Sequence, residues 1–214
     1  MATKPLETHV HDLLCQALET EIGGVAVYQM AVLCAQHDEL REEWQKYLEQ
    51  TERHVHIVRD VFEALDLDPE SITPGRLIVR EKGQCLVNAM RRALKDAPDA
   101  AQVVAAECIV DAETKDHQNW HMLGELAKQA DGELARVLTA AYEQVEDEED
   151  EHLYHTRGWC RELWLESLGL PAVMPPPEEE QDVKSATEAA RVEAKRTVRK
   201  VDKKRGERGS EASA

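Results

Sequence analysis

The chain has 214 residues, with 43 acidic against 26 basic side chains, a formal net charge of −17 and a single Phe. It is rich in Ala, Leu, Glu, Arg, Lys and Val and has no run of alternating β-branched residues, which argues against a sheet and predicts an all-α protein. Residues 1–177 sum to −18, a balance that disfavours a grip on phosphate backbones, whereas residues 183–208 sum to +6.

The first helix is expected over 6–36, followed by a break at "QHDEL" and a second helix over 39–65. "DLDPESITPGR" then interrupts the pattern, with Pro69, Pro74 and Gly75 as breakers, and a short helix over 81–95 is expected inside this long connection. Pro98 marks the first turn of a third long helix that reaches Gln129. "QADGEL" is a tight break, and a fourth long helix runs over 133–168 until Gly169 and Pro171 stop it. Short first and last connections make antiparallel neighbours. One long crossover between the second and third long helices gives the ferritin-like variant of the antiparallel four-helix bundle. Residues 1–170 are therefore expected as one bundle domain. Residues 171–214 are expected as a Pro/Glu linker and a flexible charged tail with too little apolar area to fold alone.

Five cysteines, an odd number without CxxC, read as reduced thiols in the cytoplasm, mostly buried as small hydrophobes. No run of 18 apolar residues occurs and the start lacks an apolar signal core, so neither membrane spanning nor export is expected.

Tracing each apolar stripe at about 100° per residue places polar groups inside it. In the first helix the stripe Val10, Leu14, Ala17, Glu21, Gly24, Tyr28 has Glu21 at its centre, and Glu19 points to the opposite side. In the third long helix the stripe Ala106, Val110, Glu113, His117, Trp120 centres on Glu113. Glu21 precedes Tyr28 by seven residues and Glu113 precedes Trp120 by seven, so an internal repeat is expected, with each aromatic packed on the face of its own Glu. In the fourth, "VEDEEDEHLYHT" is a mostly solvated acidic run, but Glu149-x-x-His152 puts a carboxylate and an imidazole on adjacent inward rungs. That i, i+3 spacing is the di-metal arrangement of bundle proteins. In the second helix His54 is the candidate ligand. Thr51 stands where the pattern has Glu, so either Glu52 swings in or Thr51 accepts a hydrogen bond. The candidate metal ligands are thus Glu21, Glu52, His54, Glu113, Glu149 and His152. His117 reads as an extra ligand, a partner orienting one, or a plain core histidine. His121 and His155 read as surface groups or groups behind the ligands.

Glu21…Tyr28, "QTERHV", Glu113…Trp120 and "EDEH" resemble the ferritin-like superfamily, the bacterioferritin and rubrerythrin relatives, over residues 6–168. "LEQTERHVHIVRDVFEAL" is also similar to a stress-associated ferritin-like subfamily. The resemblance implies a carboxylate-bridged di-iron or di-manganese centre that reacts with O₂ or peroxide, stores iron or oxidises a substrate. Glu21 and Glu113 would bridge or cap, Glu149 would bridge, and His54 and His152 would be terminal ligands, imidazole being suited to Fe or Mn. The competing expectation is a non-catalytic adaptor or stress protein with Arg or Lys buried against the carboxylates. A homodimer or higher homo-oligomer is expected, since C₂ pairing is commonest. The tail "KRTVRKVDKKRGER" is read as solubilising rather than as a grip on nucleic acid or an acidic partner, because no aromatic interleaves its basic residues.

Overall fold

The computed structural model describes residues 3–179; of the linker and basic tail expected over 171–214, residues 180–214 lie outside the described residues. Every regular element among the described residues is helical: α1 (Thr3–Cys34), α2 (Asp38–Ala64), α3 (Pro74–Asp96), a 3₁₀ turn (Pro98–Ala100), α4 (Ala101–Gln129) and α5 (Gly132–Ser167). None of these helices is long and apolar enough to cross a membrane.

The short helix expected in the crossover is in fact a 23-residue helix that starts at Pro74, seven residues early. Pro74 and Gly75 open it rather than break it. Proline lacks only an N–H that the first turn leaves unbonded anyway. The Thr73 side chain caps the turn by accepting from the Arg76 N–H at 3.1 Å. At Gly75 an added Cβ would lie 2.4–2.8 Å from the side chains of Asp12 and Gln16, so glycine lets α3 begin directly against α1. The Gly75 N–H donates to Asp12 Oδ1 across that contact.

Residue pairings give the directions of the helices. His11 meets Phe62 and Tyr28 meets Tyr47, so α1 and α2 are antiparallel. Trp120 reaches Glu21 and Gln102 reaches Gln36, which sets α4 antiparallel to α1. Gly124 lies against Tyr142 and Glu107 against Trp164 along antiparallel α4 and α5. Glu148 meets His54 and Trp159 meets Glu43, so α5 and α2 are antiparallel too. These contacts close a ring in the order α1, α2, α5, α4. α3 packs outside it on α1 and α4, parallel to α1, as the pairs Glu19–Arg76 and Cys34–Met90 show.

Two apolar clusters fill the ring. One holds Tyr28, Trp44, Tyr47, Ile109, Trp159 and Leu163; the other holds Leu14, Leu18, Phe62, Trp120, Leu123 and Val145. Each helix of the ring passes from one cluster to the other, and each carries buried polar groups at the crossing: Glu21 on α1, His54 on α2, Glu113 and Asp116 on α4, Glu149 and His152 on α5. The polar band is thus sealed above and below by side chains that each stabilise the fold by roughly 1.5–3 kcal/mol on burial.

Candidate metal centre

Two groups of three ligand atoms, each within 4.8 Å of one another, form at the band: Glu21, His54 and Glu149, and Glu113, Glu149 and His152. Glu149 belongs to both. His54 Nδ1 lies 3.7 Å from Glu21 Oε2 and 3.0 Å from Glu149 Oε1. His152 Nδ1 lies 3.6 Å from both Glu113 Oε2 and Glu149 Oε1. All five side chains are buried, at most 3% exposed.

The outer atoms of these groups are held by the protein. His54 Nε2 contacts Glu148 Oε2 at 2.8 Å. The hydrogen bond from His54 outweighs partial burial and holds the Glu148 carboxyl down at about 2, so Glu148 is ionised and the imidazole Nε2–H is the donor. His152 Nε2–H donates to the Gln50 side-chain carbonyl at 3.0 Å. Each bond fixes the tautomer and leaves an Nδ1 lone pair facing inward, the usual way a metal-binding imidazole is oriented from behind. The carboxylates are held likewise. The Tyr28 hydroxyl donates to Glu113 Oε1 at 2.7 Å and the Trp120 Nε1–H donates to Glu21 Oε1 at 2.7 Å.

Six buried atoms here are left without hydrogen bonds, Glu21 Oε2, His54 Nδ1, Glu113 Oε2, Asp116 Oδ1, Glu149 Oε2 and His152 Nδ1; Trp44 Nε1 and Thr156 Oγ1, elsewhere on α2 and α5, are left likewise. His54 Nδ1 and Glu149 Oε1 are close, but the ring nitrogen is not aligned to form a hydrogen bond there. Lone pairs aimed at carboxylate oxygens in a dry interior repel unless a proton or a cation lies between them. Burial first, then the Glu113 carboxylate, push the Glu149 carboxyl up to about 8. Burial, with Asp116 as the strongest charged neighbour, raises Glu21 well above the carboxylate range. Burial, then Glu149 and Glu113, raise Asp116 likewise. Among the described residues the only basic groups within ion-pair reach of Glu21, Glu113 and Glu149 are the two imidazoles. The carboxylates of Glu21, Glu113 and Glu149 and the imidazoles of His54 and His152 form two adjoining sets of mixed O/N donors that share Glu149, a donor chemistry that suits Fe or Mn. The donor atoms present therefore fit a di-metal group.

Five of the six candidate residues, Glu21, His54, Glu113, Glu149 and His152, come together here. Glu52 does not: it is exposed on the outer side of α2, one residue and about 100° round from Thr51. Thr51 does not accept for a ligand either; its hydroxyl donates to the Tyr47 carbonyl one turn back at 2.9 Å. The carboxylate absent from α2 has a counterpart in Asp116 on α4, which sequence reasoning missed although it stands three residues after Glu113. His117 turns aside to Asp150 at 2.8 Å, and His121 is exposed. His155 is buried against the Tyr47 hydroxyl and Glu43. Glu19, opposite Glu21 on α1, is covered by α3 and bound by Arg76 and Arg80. Tyr28 and Trp120 cross over. Each bonds the Glu of the other helix rather than its own, because α1 and α4 are antiparallel.

Comparison of the chain with protein-family models, with curated proteins and with solved structures returns no match.

Proposed function

We propose that this chain is a ferritin-like di-iron or di-manganese binding protein, redox-active in iron handling or in O₂ or peroxide metabolism. One observation carries it: each of the five side chains of the two triads keeps a buried atom that no hydrogen bond uses, while the opposite atom of each imidazole and of Glu21 and Glu113 is anchored. A bound pair of such ions would supply electrons to O₂ or peroxide. The residues of the chain set the conditions for that chemistry. Glu149 stands between the two halves. Glu148 and Gln50 keep the imidazoles in the ligating tautomer. The two apolar clusters keep water from the band.

The test is purification in Fe(II) or Mn(II), metal counting per chain, and a spectrum after exposure to O₂. Two ions per wild-type chain, reduced to one or none in Glu113→Ala, are expected. A folded protein that binds no metal under these conditions belongs instead with non-catalytic helical adaptors.

A further inference from the structure

A separate cavity of about 620 Å³ opens between α1, α3 and α4, on the side of α1 away from the polar band. Its size falls in the range of small-molecule sites. Val27 of α1, Val79 and Leu86 of α3 and Ala112 of α4 form apolar walls.

Two features separate it from a packing gap. The first concerns Gly23 and Gly83, which both line it from the middle of a helix, where glycine weakens the helix relative to alanine. Close packing normally explains such a residue, as at Gly24, where an added Cβ would press on the Thr51 methyl at 3.1 Å. At Gly23 an added Cβ meets nothing within 4 Å, and at Gly83 only the Gly23 Cα at 3.8 Å, an ordinary contact. Protein packing does not require either glycine, and both leave the space beside them open.

The second feature is charge. Lys115 and Lys82 both line the cavity, and neither forms an ion pair among the described residues. Lys115 donates to the Asn119 side-chain carbonyl only. Of the acids lining the cavity, Glu19 is already held by Arg76 and Arg80, and Glu81 and Asp111 are exposed at its rim.

We infer that this cavity binds a monocarboxylic acid with an unbranched hydrocarbon body, its carboxylate between Lys115 and Lys82 and its chain against the apolar walls in the space left by Gly23 and Gly83. The inference does not depend on the metal centre, and its test uses the whole 214-residue chain free of metal.

Isothermal titration with decanoate, and with decyltrimethylammonium as the charge-reversed amphiphile of equal tail, reads it directly. Decanoate is expected to saturate at one per chain and to bind at least tenfold more tightly than the cation. Gly23→Leu, which fills the space, is expected to weaken decanoate at least tenfold with its helical circular dichroism intact. Lys115→Met is expected to weaken decanoate by a similar factor and to narrow the gap to the cation. Should Gly23→Leu fail to fold, the wild-type protein supplies the second measurement. Cys85, the only exposed cysteine, lines the same cavity, so saturating decanoate is expected to slow its alkylation by iodoacetamide at least fivefold. The proposal is overturned by the absence of saturable decanoate binding, by equal binding of the two amphiphiles, by unchanged affinity in folded Gly23→Leu, or by alkylation of Cys85 at an unaltered rate.

Discussion

Replacing Glu149 by Gln should stabilise the metal-free protein and remove its response to metal. The carboxyl, 1% exposed, titrates at about 8 in the fold against an ordinary 4.5. At pH 7 the metal-free fold must therefore bind a proton that the unfolded chain has released. That costs about 3 kcal/mol at 1.36 kcal/mol per pH unit over roughly two and a half units. A raised pKa contributes stability that is fully present below 4.5 and lost as pH rises through 8, so the wild-type protein with chelator should weaken steadily across that window. Glu149→Gln carries no such proton and should melt higher at pH 7, by about 6–12 °C at roughly 2–4 °C per kcal/mol. Saturating Mn(II) should reverse the order. Metal at a hundredfold its Kd stabilises the wild-type fold by about 2.7 kcal/mol per site, and the variant, which lacks the group common to both triads, should gain little. Thermal melts followed by circular dichroism at pH 5, 7 and 8.5, with chelator and with Mn(II), test this. A metal-free Glu149→Gln that melts below wild type at pH 7 refutes the reasoning, because it would mean the carboxylate is satisfied by the protein alone.

Three further outcomes follow from the same geometry. Glu148→Gln and Gln50→Leu, which disturb the hydrogen bonds behind His54 and His152, should each weaken metal binding about 10–100-fold by competition titration while leaving two ions per chain at saturation. Residues 173–179 fold back on α5: the Val173 N–H donates to Glu162, Glu178 pairs with Arg161, and Glu179 shares the Trp159 Nε1–H with Glu43. Burial, then the hydrogen bond with Glu43, raise Glu179 to about 9, so this attachment should be present at low pH and lost above about 9. Trp159 fluorescence should show that transition, and Glu179→Gln should abolish it. Arg76, 2% exposed, donates to Glu19 and to the Pro69 and Ser71 carbonyls. Arg76→Ala strands the two carbonyls and leaves Glu19 to Arg80 alone, and should cost about 1–3 kcal/mol by urea denaturation.

The helices and most of the centre were legible because both follow from one periodicity. Glu21, Glu113 and His152 fall at the centre of their traced stripes and His54 and Glu149 on the flanks, which let them be placed inward from sequence, whereas His117, on the stripe of Glu113, turns aside to Asp150. Glu52 was misjudged at the one helix where the i, i+3 pattern lapses. No local rule can rotate a residue by a whole helical step, and the position stays outside. Asp116 went unseen since a lone Asp one turn past a ligand gives no signal until α1 is laid beside α4. The partners behind the imidazoles, Glu148 and Gln50, are equally non-local, as is the crosswise bonding of Tyr28 and Trp120. The start of α3 was lost for a different reason: Thr-Pro-Gly reads as a turn or as a capped helix start, and only contact with Asp12 decides between them.

The crosswise pair has a mechanical consequence. Tyr28 of α1 grips Glu113 of α4 while Trp120 of α4 grips Glu21 of α1, seven positions further along. Sliding one helix past its neighbour by a single turn, about 5.4 Å, would carry both donors beyond both acceptors at once. The two bonds thus act as a ratchet pawl that admits one register of α1 on α4, so the spacing between the halves is set by the protein alone.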